Sequence, residues 1–216
     1  MELLNGQTLS AYLATVGKIR QEEALDIACQ ICAGLAEAHH RGIVHRDLKS
    51  GNIMLCNDVD GSQRAVITDF GLAGESTSCP RETAGTPAYM APELWRDDKA
   101  SKASDIYALG VILYEMVAGR KPNDLDAEGG AKESERLRRY REIATPPPPP
   151  SKWTPNLDSR WDSAILNCLA IAPGERIQDA SEVVAALKGR SRTGVLGAVL
   201  AVATAPYEFF LSLFNQ

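Results

Sequence analysis

Residues 42–55 read GIVHRDLKSGNIML, which places an Asp, a Lys and an Asn at positions 47, 49 and 52. Phosphoryl transfer from a nucleotide needs a carboxylate that orients the attacking hydroxyl, cations that neutralise the phosphates, and ligands that hold a metal ion. Asp47 can accept the proton of the hydroxyl, and Lys49 can reach the phosphoryl group. Asn52 offers an amide oxygen, which is a ligand type that Mg²⁺ prefers. The spacing therefore predicts a loop built for phosphoryl transfer.

A second acidic residue follows this loop. Asp69 opens the tripeptide DFG and offers a further metal ligand. Between the two lie short apolar runs at 53–55 and 65–67, separated by the polar stretch NDVDGSQ, and this pattern predicts two strands joined by a turn. Any one of these polar residues could be an ordinary loop residue. All four in this order are very unlikely by chance.

The flanking regions show helical patterns. Residues 22–40 carry apolar residues at spacings of three and four, which predicts an amphipathic helix that Gly42 ends. Residues 104–119 are apolar nearly all round, which indicates a buried central helix. Ser104 is a candidate cap for its start, and Gly119 for its end.

Further helices are predicted towards the C-terminus. Residues 158–170 form one helix, and a second begins at a capping box of Asp179 and Glu182 and ends at Gly189. Before them, residues 146–150 are consecutive prolines. Their polyproline II geometry suits either an SH3-type ligand or a rigid loop inside the domain, and the second interpretation is favoured.

Composition limits the function classes. The chain has 216 residues and a formal net charge of −5, so it lacks the basic excess of a general nucleic-acid binder. Its 5 cysteines show no regular framework, which indicates a reducing cytosol. Cys29 and Cys32 form a CxxC, but the helical pattern around them favours packing over metal binding or redox chemistry. The first ten residues do not read as a secretory signal.

The ordered motifs HRDLKSGN at His45–Asn52, DFG at Asp69–Gly71 and APE at Ala91–Glu93 resemble those of a Hanks-type Ser/Thr protein kinase of the bacterial sort. The resemblance covers residues 1–189 and the family's large, C-terminal lobe. It implies a mainly α (α+β) fold, helical with a small β-hairpin near the catalytic loop. It also implies phosphoryl transfer from Mg-ATP to Ser or Thr of protein substrates, with no nucleic-acid partner.

The resemblance assigns roles to individual residues. Asp47 would be the catalytic base, Lys49 the phosphate contact, and Asn52 and Asp69 the Mg²⁺ ligands. The start of the chain resembles the hinge between the lobes, so Met1 would lie near the back of the adenine pocket and Glu2 to Leu4 would offer backbone groups to adenine. The resulting ATP-binding set is Glu2, Leu4, Met54 in the apolar floor of the cleft, Lys49, Asn52 and Asp69.

Regulatory roles follow from the segment GTPAYMAPE, which resembles the family's substrate-docking segment. Thr86 would bond Asp47 and Lys49. Thr83 lies where the family often carries an activating phosphate, and Arg46 would be its charged partner. Structural roles are implied for two further sites: Asp105 would hold the backbone of the catalytic loop, and Arg176 would pair with Glu93.

Several parts of a complete kinase have no counterpart in the sequence. No G-x-G-x-x-G loop, no strand Lys of the V-A-I-K type and no Glu of the family's αC helix is found, which predicts that the small lobe is missing. Phosphoryl transfer by this lobe alone is expected to be impaired. Two interpretations stay open: an active kinase whose start lies further upstream, or an inactive kinase-like fragment that acts as a protein-binding module.

The C-terminal tail, residues 190–216, has a composition of its own. Residues 193–214 are mostly apolar and follow the basic RSR, and about 20 apolar residues suffice to cross a bilayer. Pro206 and Glu208 interrupt this run. A membrane contact that anchors a cytoplasmic protein to the inner face of the plasma membrane therefore competes with a helix that packs on the lobe or on a partner. The sequence does not indicate an oligomeric state.

Overall fold

The computed structural model describes residues 5–57, 62–70, 87–96, 99–122 and 145–189. Within these ranges the fold is mainly helical with one small antiparallel sheet, as predicted. The helices are α1 (Leu9–Val16), α2 (Gln21–His40), α3 (Lys102–Ala118), α4 (Ser159–Cys168) and α5 (Ala180–Leu187). The strands are β1 (Gly6–Thr8), β2 (Ile53–Asn57) and β3 (Gln63–Ile67).

Helix α3 is the centre of the core, as its uniformly apolar sequence predicts. It is buried along nearly its whole length and packs against α2 and α4. Gly110 permits the contact with α4, because a Cβ at this position would lie 2.7 Å from the Cβ of Cys168. The predicted end at Gly119 is confirmed, with φ at 70° and its amide bonded to the Glu115 carbonyl.

The start of α3 corrects the prediction that Ser104 is its cap. The N-cap is Ser101, whose hydroxyl accepts a hydrogen bond from the Ser104 amide at 3.3 Å. Ser104 Oγ in turn accepts from the Ser101 amide at 2.9 Å. The two serines thus form a reciprocal capping box, and sequence alone did not decide which of them came first.

Helix α2 confirms the predicted amphipathic helix. Its buried residues follow the predicted spacing, namely Ala24, Ile27, Ala28, Ile31, Cys32, Leu35, Ala38 and His39. The helix ends in a Schellman motif, because the Gly42 amide bonds the His39 carbonyl and the Ile43 amide bonds the Ala38 carbonyl. Gly42 supplies the positive φ of 75° that this ending requires.

The sheet contains the predicted hairpin and one strand that was not predicted. Strands β2 and β3 pair in register from Ile53 opposite Ile67. Strand β1 adds to the other edge of β2, so the sheet has three strands in the order β1-β2-β3. Gly6 is required there, because a Cβ would lie 2.2 Å from the Leu55 carbonyl oxygen. Three residues are too few to show an alternating pattern, which explains the missed strand.

The C-terminal helices follow the prediction in position but not in every capping detail. Asp179 caps α5 by accepting from the Ser181 amide at 2.7 Å and from the Ser181 hydroxyl at 2.6 Å. The predicted capping box with Glu182 is therefore wrong, because the Asp179 side chain bonds Ser181 instead of the Glu182 amide. The proline segment is attached to the domain, because Tyr114 Oη donates to the Pro148 carbonyl at 3.0 Å and Pro150 is buried. This supports the rigid-loop interpretation.

Candidate active site

The loop between α2 and β2 sorts its side chains between the core and the surface. Leu48 is 2% exposed and packs in the hydrophobic core. Its neighbours point away from the core, with the side chains of Asp47 and Lys49 exposed by 40% and 27%. One buried leucine thus fixes the loop while the two charged groups beside it remain accessible.

The three polar residues of the quoted stretch form one hydrogen-bonded cluster. Lys49 Nζ lies 2.5 Å from Asp47 Oδ2. Asn52 Nδ2 donates to the Asp47 carbonyl at 2.9 Å and to Asp47 Oδ2 at 3.3 Å. Within the described part of the chain, these bonds leave Asp47 Oδ1 and Asn52 Oδ1 as oxygens that accept no side-chain bond. The cluster therefore combines a held carboxylate, a cation and an amide oxygen.

Asp69 comes close to this cluster through the β2–β3 pairing. The Thr68 amide donates to the Asn52 carbonyl at 2.9 Å, which continues the hairpin ladder by one step. The Thr68 hydroxyl bonds the same carbonyl at 3.2 Å. Asp69 follows directly, with a left-handed φ of 60° and an exposed side chain. The hairpin thus brings the two predicted metal ligands to the same end of the sheet.

His45 connects the loop to the residues before DFG. Its Nδ1 accepts from the Asp47 amide at 3.3 Å, so the ring proton lies on Nε2, which donates to the Thr68 carbonyl at 2.9 Å. Its ring also contacts Phe70, with 4.8 Å between the centroids. One buried imidazole therefore fixes both the backbone at Asp47 and the start of the DFG segment.

Asp105, in the first turn of α3, lies beneath the loop and is 2% exposed. Its Oδ2 accepts from the His45 amide at 2.8 Å, and its Oδ1 accepts from the Arg46 amide at 3.0 Å. His39 Nε2, on α2, donates to Oδ2 at 2.8 Å. Arg46 has a left-handed φ of 73°, a conformation that costs about 1–3 kcal/mol for a non-glycine residue. The charge-assisted bonds to Asp105 offset that cost.

Arg176 and Glu93 form a buried ion pair away from the loop. Two guanidinium nitrogens of Arg176 reach the two oxygens of Glu93 at 2.7 and 2.6 Å. The remaining N–H groups donate to the carbonyls of Ala103, Ala170 and Ile171. Every donor of the guanidinium is therefore satisfied, which is the condition for burying this charge.

Ser50, Tyr89 and Glu115 form a second polar chain that the sequence analysis did not single out. Ser50 Oγ lies 2.8 Å from Tyr89 Oη, which donates to Glu115 Oε2 at 2.7 Å. Burial, with a smaller contribution from the Glu115 carboxylate, raises the pKa of Tyr89 well above its usual range. Ser50 is within the quoted loop and Tyr89 within GTPAYMAPE, so the signal was present in both motifs, but the pairing appears only in three dimensions.

Other predicted positions divide into those that the structure describes and those that it does not. Met54 is half-buried on β2 opposite Val66, and Arg46 is exposed. The remaining ones lie outside the described residues, namely Met1, Glu2, Leu4, Thr83, Thr86 and the tail 190–216 with its apolar run 193–214.

The predictions about the cysteines and about a membrane-spanning helix can be compared with the described residues only. Cys32 is buried in the core and Cys29 is half-buried, both as free thiols, and the described ranges hold no cluster of three metal-ligating side chains. Burial raises the pKa of the Cys32 thiol well above its usual range. These observations support helix packing. Across 5–57, 62–70, 87–96, 99–122 and 145–189, no helix has the length and apolar character needed to span a membrane.

Comparison with known proteins assigns the class. Residues 1–186 match the family described as protein kinase domain. The chain therefore belongs to the protein kinase family.

Its relatives include bacterial serine/threonine-protein kinases. A probable serine/threonine-protein kinase of Corynebacterium efficiens is 35% identical over 218 aligned positions, which cover 96% of this chain and 31% of the relative. The serine/threonine-protein kinase PrkC of Bacillus subtilis is 33% identical over 192 positions, covering 87% of this chain and 28% of PrkC. The crystal structure of the Mycobacterium tuberculosis PknI kinase domain superposes with a TM-score of 0.64 at 26% identity, covering 88% of this chain and 65% of that one. The chain thus spans about three tenths of the length of the Corynebacterium and Bacillus relatives.

Proposed function

We propose that this chain carries the catalytic loop of a protein serine/threonine kinase that transfers the γ-phosphoryl group of ATP to Ser or Thr of protein substrates. The observation that carries the proposal is the Asp47–Lys49–Asn52 cluster, in which all three side chains contact one another through one carboxylate. Such a reaction depends on positioning and on electrostatic stabilisation, and the cluster supplies groups for both.

Each residue of the cluster then has a defined task. Asp47 is the base that orients the substrate hydroxyl, and its Oδ1 is the oxygen left to accept that proton. Lys49 neutralises charge on the phosphoryl group. Its present bond to Asp47 also keeps the ammonium beside the position of the attacking oxygen.

The proposed metal is Mg²⁺, held by Asn52 and Asp69. The donor set fits a hard divalent cation, because it consists of an amide oxygen and a carboxylate. Both bonds to Asp47 come from Asn52 Nδ2. The single amide oxygen, Oδ1, is therefore left to bind the metal ion. When bound, the ion would supply charge neutralisation on the phosphates of ATP.

The nucleotide would lie against the sheet, with Met54 in the apolar floor and with Glu2 and Leu4 beside adenine. We further propose that residues 1–189 are the large lobe of the kinase and work together with a small lobe that carries the phosphate-covering loop. The large-lobe proposal is supported by β1, which follows the hinge-like start in the sequence and pairs with β2 beside the proposed cleft.

The tail 190–216 is proposed to contact the cytoplasmic face of the membrane.

Regulation is proposed to run through Thr83, Thr86 and Arg46. A phosphate on Thr83 would pair with Arg46, whose exposed guanidinium follows His45 directly. Thr86 would link the docking segment to Asp47 and Lys49. Asp105, Glu93 and Arg176 are proposed to be structural, and their complete hydrogen bonding supports that role.

The test of this function is a transfer assay in which Mg²⁺ is titrated. The protein is purified from the organism that encodes it and is incubated with γ-labelled ATP and casein. The labelled residues are then identified as Ser or Thr. We expect no transfer after chelation of divalent ions, and Asp69→Ala should raise the Mg²⁺ concentration for half-maximal rate by about tenfold or more, since lost metal contacts cost at least this much. Asp26→Ala removes an exposed carboxylate of α2 and serves as the matched control. Equal Mg²⁺ dependence of the three proteins would refute the metal assignment.

A further inference from the structure

The hydroxyl of Ser50 has a fixed role in the chain from Ser50 through Tyr89 to Glu115. A carboxylate only accepts hydrogen bonds, so Tyr89 donates its single proton to Glu115 across 2.7 Å. The bond of 2.8 Å between Ser50 and Tyr89 must then run in the other direction, with Ser50 as donor and Tyr89 as acceptor. The order of the three groups is therefore determined by chemistry.

The hydrogen bonds from Ser50 through Tyr89 to Glu115 join two segments of the protein with different tasks. Ser50 opens the short turn Ser50–Asn52 directly after Lys49, within the loop that carries Asp47. Tyr89 lies in the turn Pro87–Tyr89, inside the docking segment 85–93. Ser50 and Tyr89 are 2% and 6% exposed, so water does not compete for their bond. Glu115 belongs to α3, so the chain also attaches both segments to the central helix.

We propose that Ser50 is a positioning residue for the protein substrate, setting the docking segment at a fixed distance from Asp47. This inference rests on the proposed kinase function. The turn at Ser50 is itself held, because the Asn52 amide bonds the Lys49 carbonyl at 2.9 Å and Leu48 is anchored in the core. A displacement of Tyr89 relative to Ser50 therefore becomes a displacement of the bound substrate relative to the catalytic carboxylate.

The role is distinguishable from a merely structural one. Without the Ser50 hydroxyl, Tyr89 keeps its bond to Glu115, so the segment stays attached to α3 but loses the side-chain bond to Ser50. The affinity for the protein substrate should change. The affinity for ATP should not, because the side chains of Lys49 and Asn52 proposed to contact ATP bond Asp47 and not the Ser50 hydroxyl. A purely structural hydroxyl would alter stability and leave the ratio of the two KM values unchanged.

The test compares Ser50→Ala with wild-type protein and with Ser163→Ala, an exposed serine on α4, as the matched control. All proteins are assayed in the form that the cell produces, with casein as acceptor. For Ser50→Ala we expect the KM for casein to rise about threefold to tenfold, the worth of one hydrogen bond, with the KM for ATP unchanged. Ser50→Thr, which keeps the hydroxyl, should recover part of the loss.

A double-mutant cycle with Tyr89→Phe localises the effect. If the bond carries it, Ser50→Ala should add nothing to the KM of Tyr89→Phe. Amide hydrogen exchange at residues 87–93 should also be faster in Ser50→Ala than in Ser163→Ala. If the wild-type protein is active and Ser50→Ala has the same KM for casein, the positioning role alone is overturned. A wild type that transfers no phosphate, despite faster exchange in Ser50→Ala, overturns the kinase function and the substrate role that rests on it.

Discussion

Two buried charges, one on the first turn of α3 and one packed against it, differ in the groups that form bonds with them. Arg176 is 3% exposed and has a complementary anion, Glu93, in addition to carbonyl acceptors. Asp105 is 2% exposed and its charge is met by two backbone amides and by His39. The arginine therefore connects parts of the scaffold to one another, whereas the aspartate connects the scaffold to the loop that carries Asp47.

The difference indicates how each residue should fail. Loss of Arg176 leaves an uncompensated carboxylate in the interior, which is a cost in stability. Loss of the Asp105 charge releases the left-handed backbone at Arg46, which is a cost in geometry at the site. Variants at the two positions should thus separate stability from phosphoryl transfer.

The largest effect on stability is expected for Arg176→Ala. Breaking a buried pair by removing one partner costs about 3–5 kcal/mol, because Glu93 stays buried without its cation. Urea denaturation measures this as a fall in the unfolding free energy. The control is Arg160→Ala, since Arg160 pairs with Asp158 at an exposed site, with its side chain 49% exposed. That pair contributes little to stability, because solvent screens the attraction between two exposed charges. Equal losses for the two variants would contradict the comparison.

Asp105→Asn should cost less stability than Arg176→Ala and more activity. The amide has one acceptor oxygen, and in either orientation its NH₂ group faces one of the two backbone donors, so we expect a loss of about 1.5–3 kcal/mol. The transfer rate per folded molecule should fall further, because the backbone at Arg46 is no longer held. Circular dichroism gives the folded fraction, and the labelled-ATP assay gives the rate. A rate that falls only in proportion to the folded fraction would refute this role for Asp105.

A third buried group, Cys168, has no ionic partner and must stay neutral. Burial raises its pKa to about 12, with nearby Arg176 acting in the opposite direction. The folded pKa is above the unfolded value of 9.0, so the folded state is favoured while the thiol is neutral in both states. The stability of the folded state relative to the unfolded state is therefore unaffected by this thiol's ionisation below pH 9 and falls as the pH rises towards 12. The loss should reach about 2 kcal/mol by pH 10.5.

Urea denaturation from pH 8 to 10.5 measures that loss, with Cys168→Ala as the comparison. The variant should show a flatter pH dependence, whatever its stability at neutral pH. Parallel curves for the two proteins would show that the pKa of this thiol is not raised in the folded state.

The smallest effect is expected at the cap that positions both charges. Ser101→Ala removes the hydroxyl that caps α3 and should cost about 1 kcal/mol. Because Arg176 bonds the Ala103 carbonyl in this first turn, fraying here should also reduce the effect of Arg176→Ala. A double-mutant cycle measures that coupling. Strict additivity of the two changes would show that the cap does not support the ion pair.

Much of this arrangement could be read from the sequence, because it rests on long periodic helices and on ordered motifs. The apolar patterns of α2 and α3 and the pairing of β2 with β3 were predictable for that reason. Strand β1 was too short to leave a pattern. The choice between Ser101 and Ser104 as cap depended on one residue of helix phase. The Ser50–Tyr89 bond joins residues distant in sequence and could not be found without coordinates.

The central claim is that Asp47 is the base of a phosphoryl-transfer site. Its most direct test is the rate of transfer from ATP to protein serine or threonine by the protein purified from its own cell, beside the isosteric Asp47→Asn variant. The account predicts a fall of about a hundredfold or more, the usual contribution of a positioned general base, with folding retained. Transfer at an equal rate by Asp47→Asn would contradict the account.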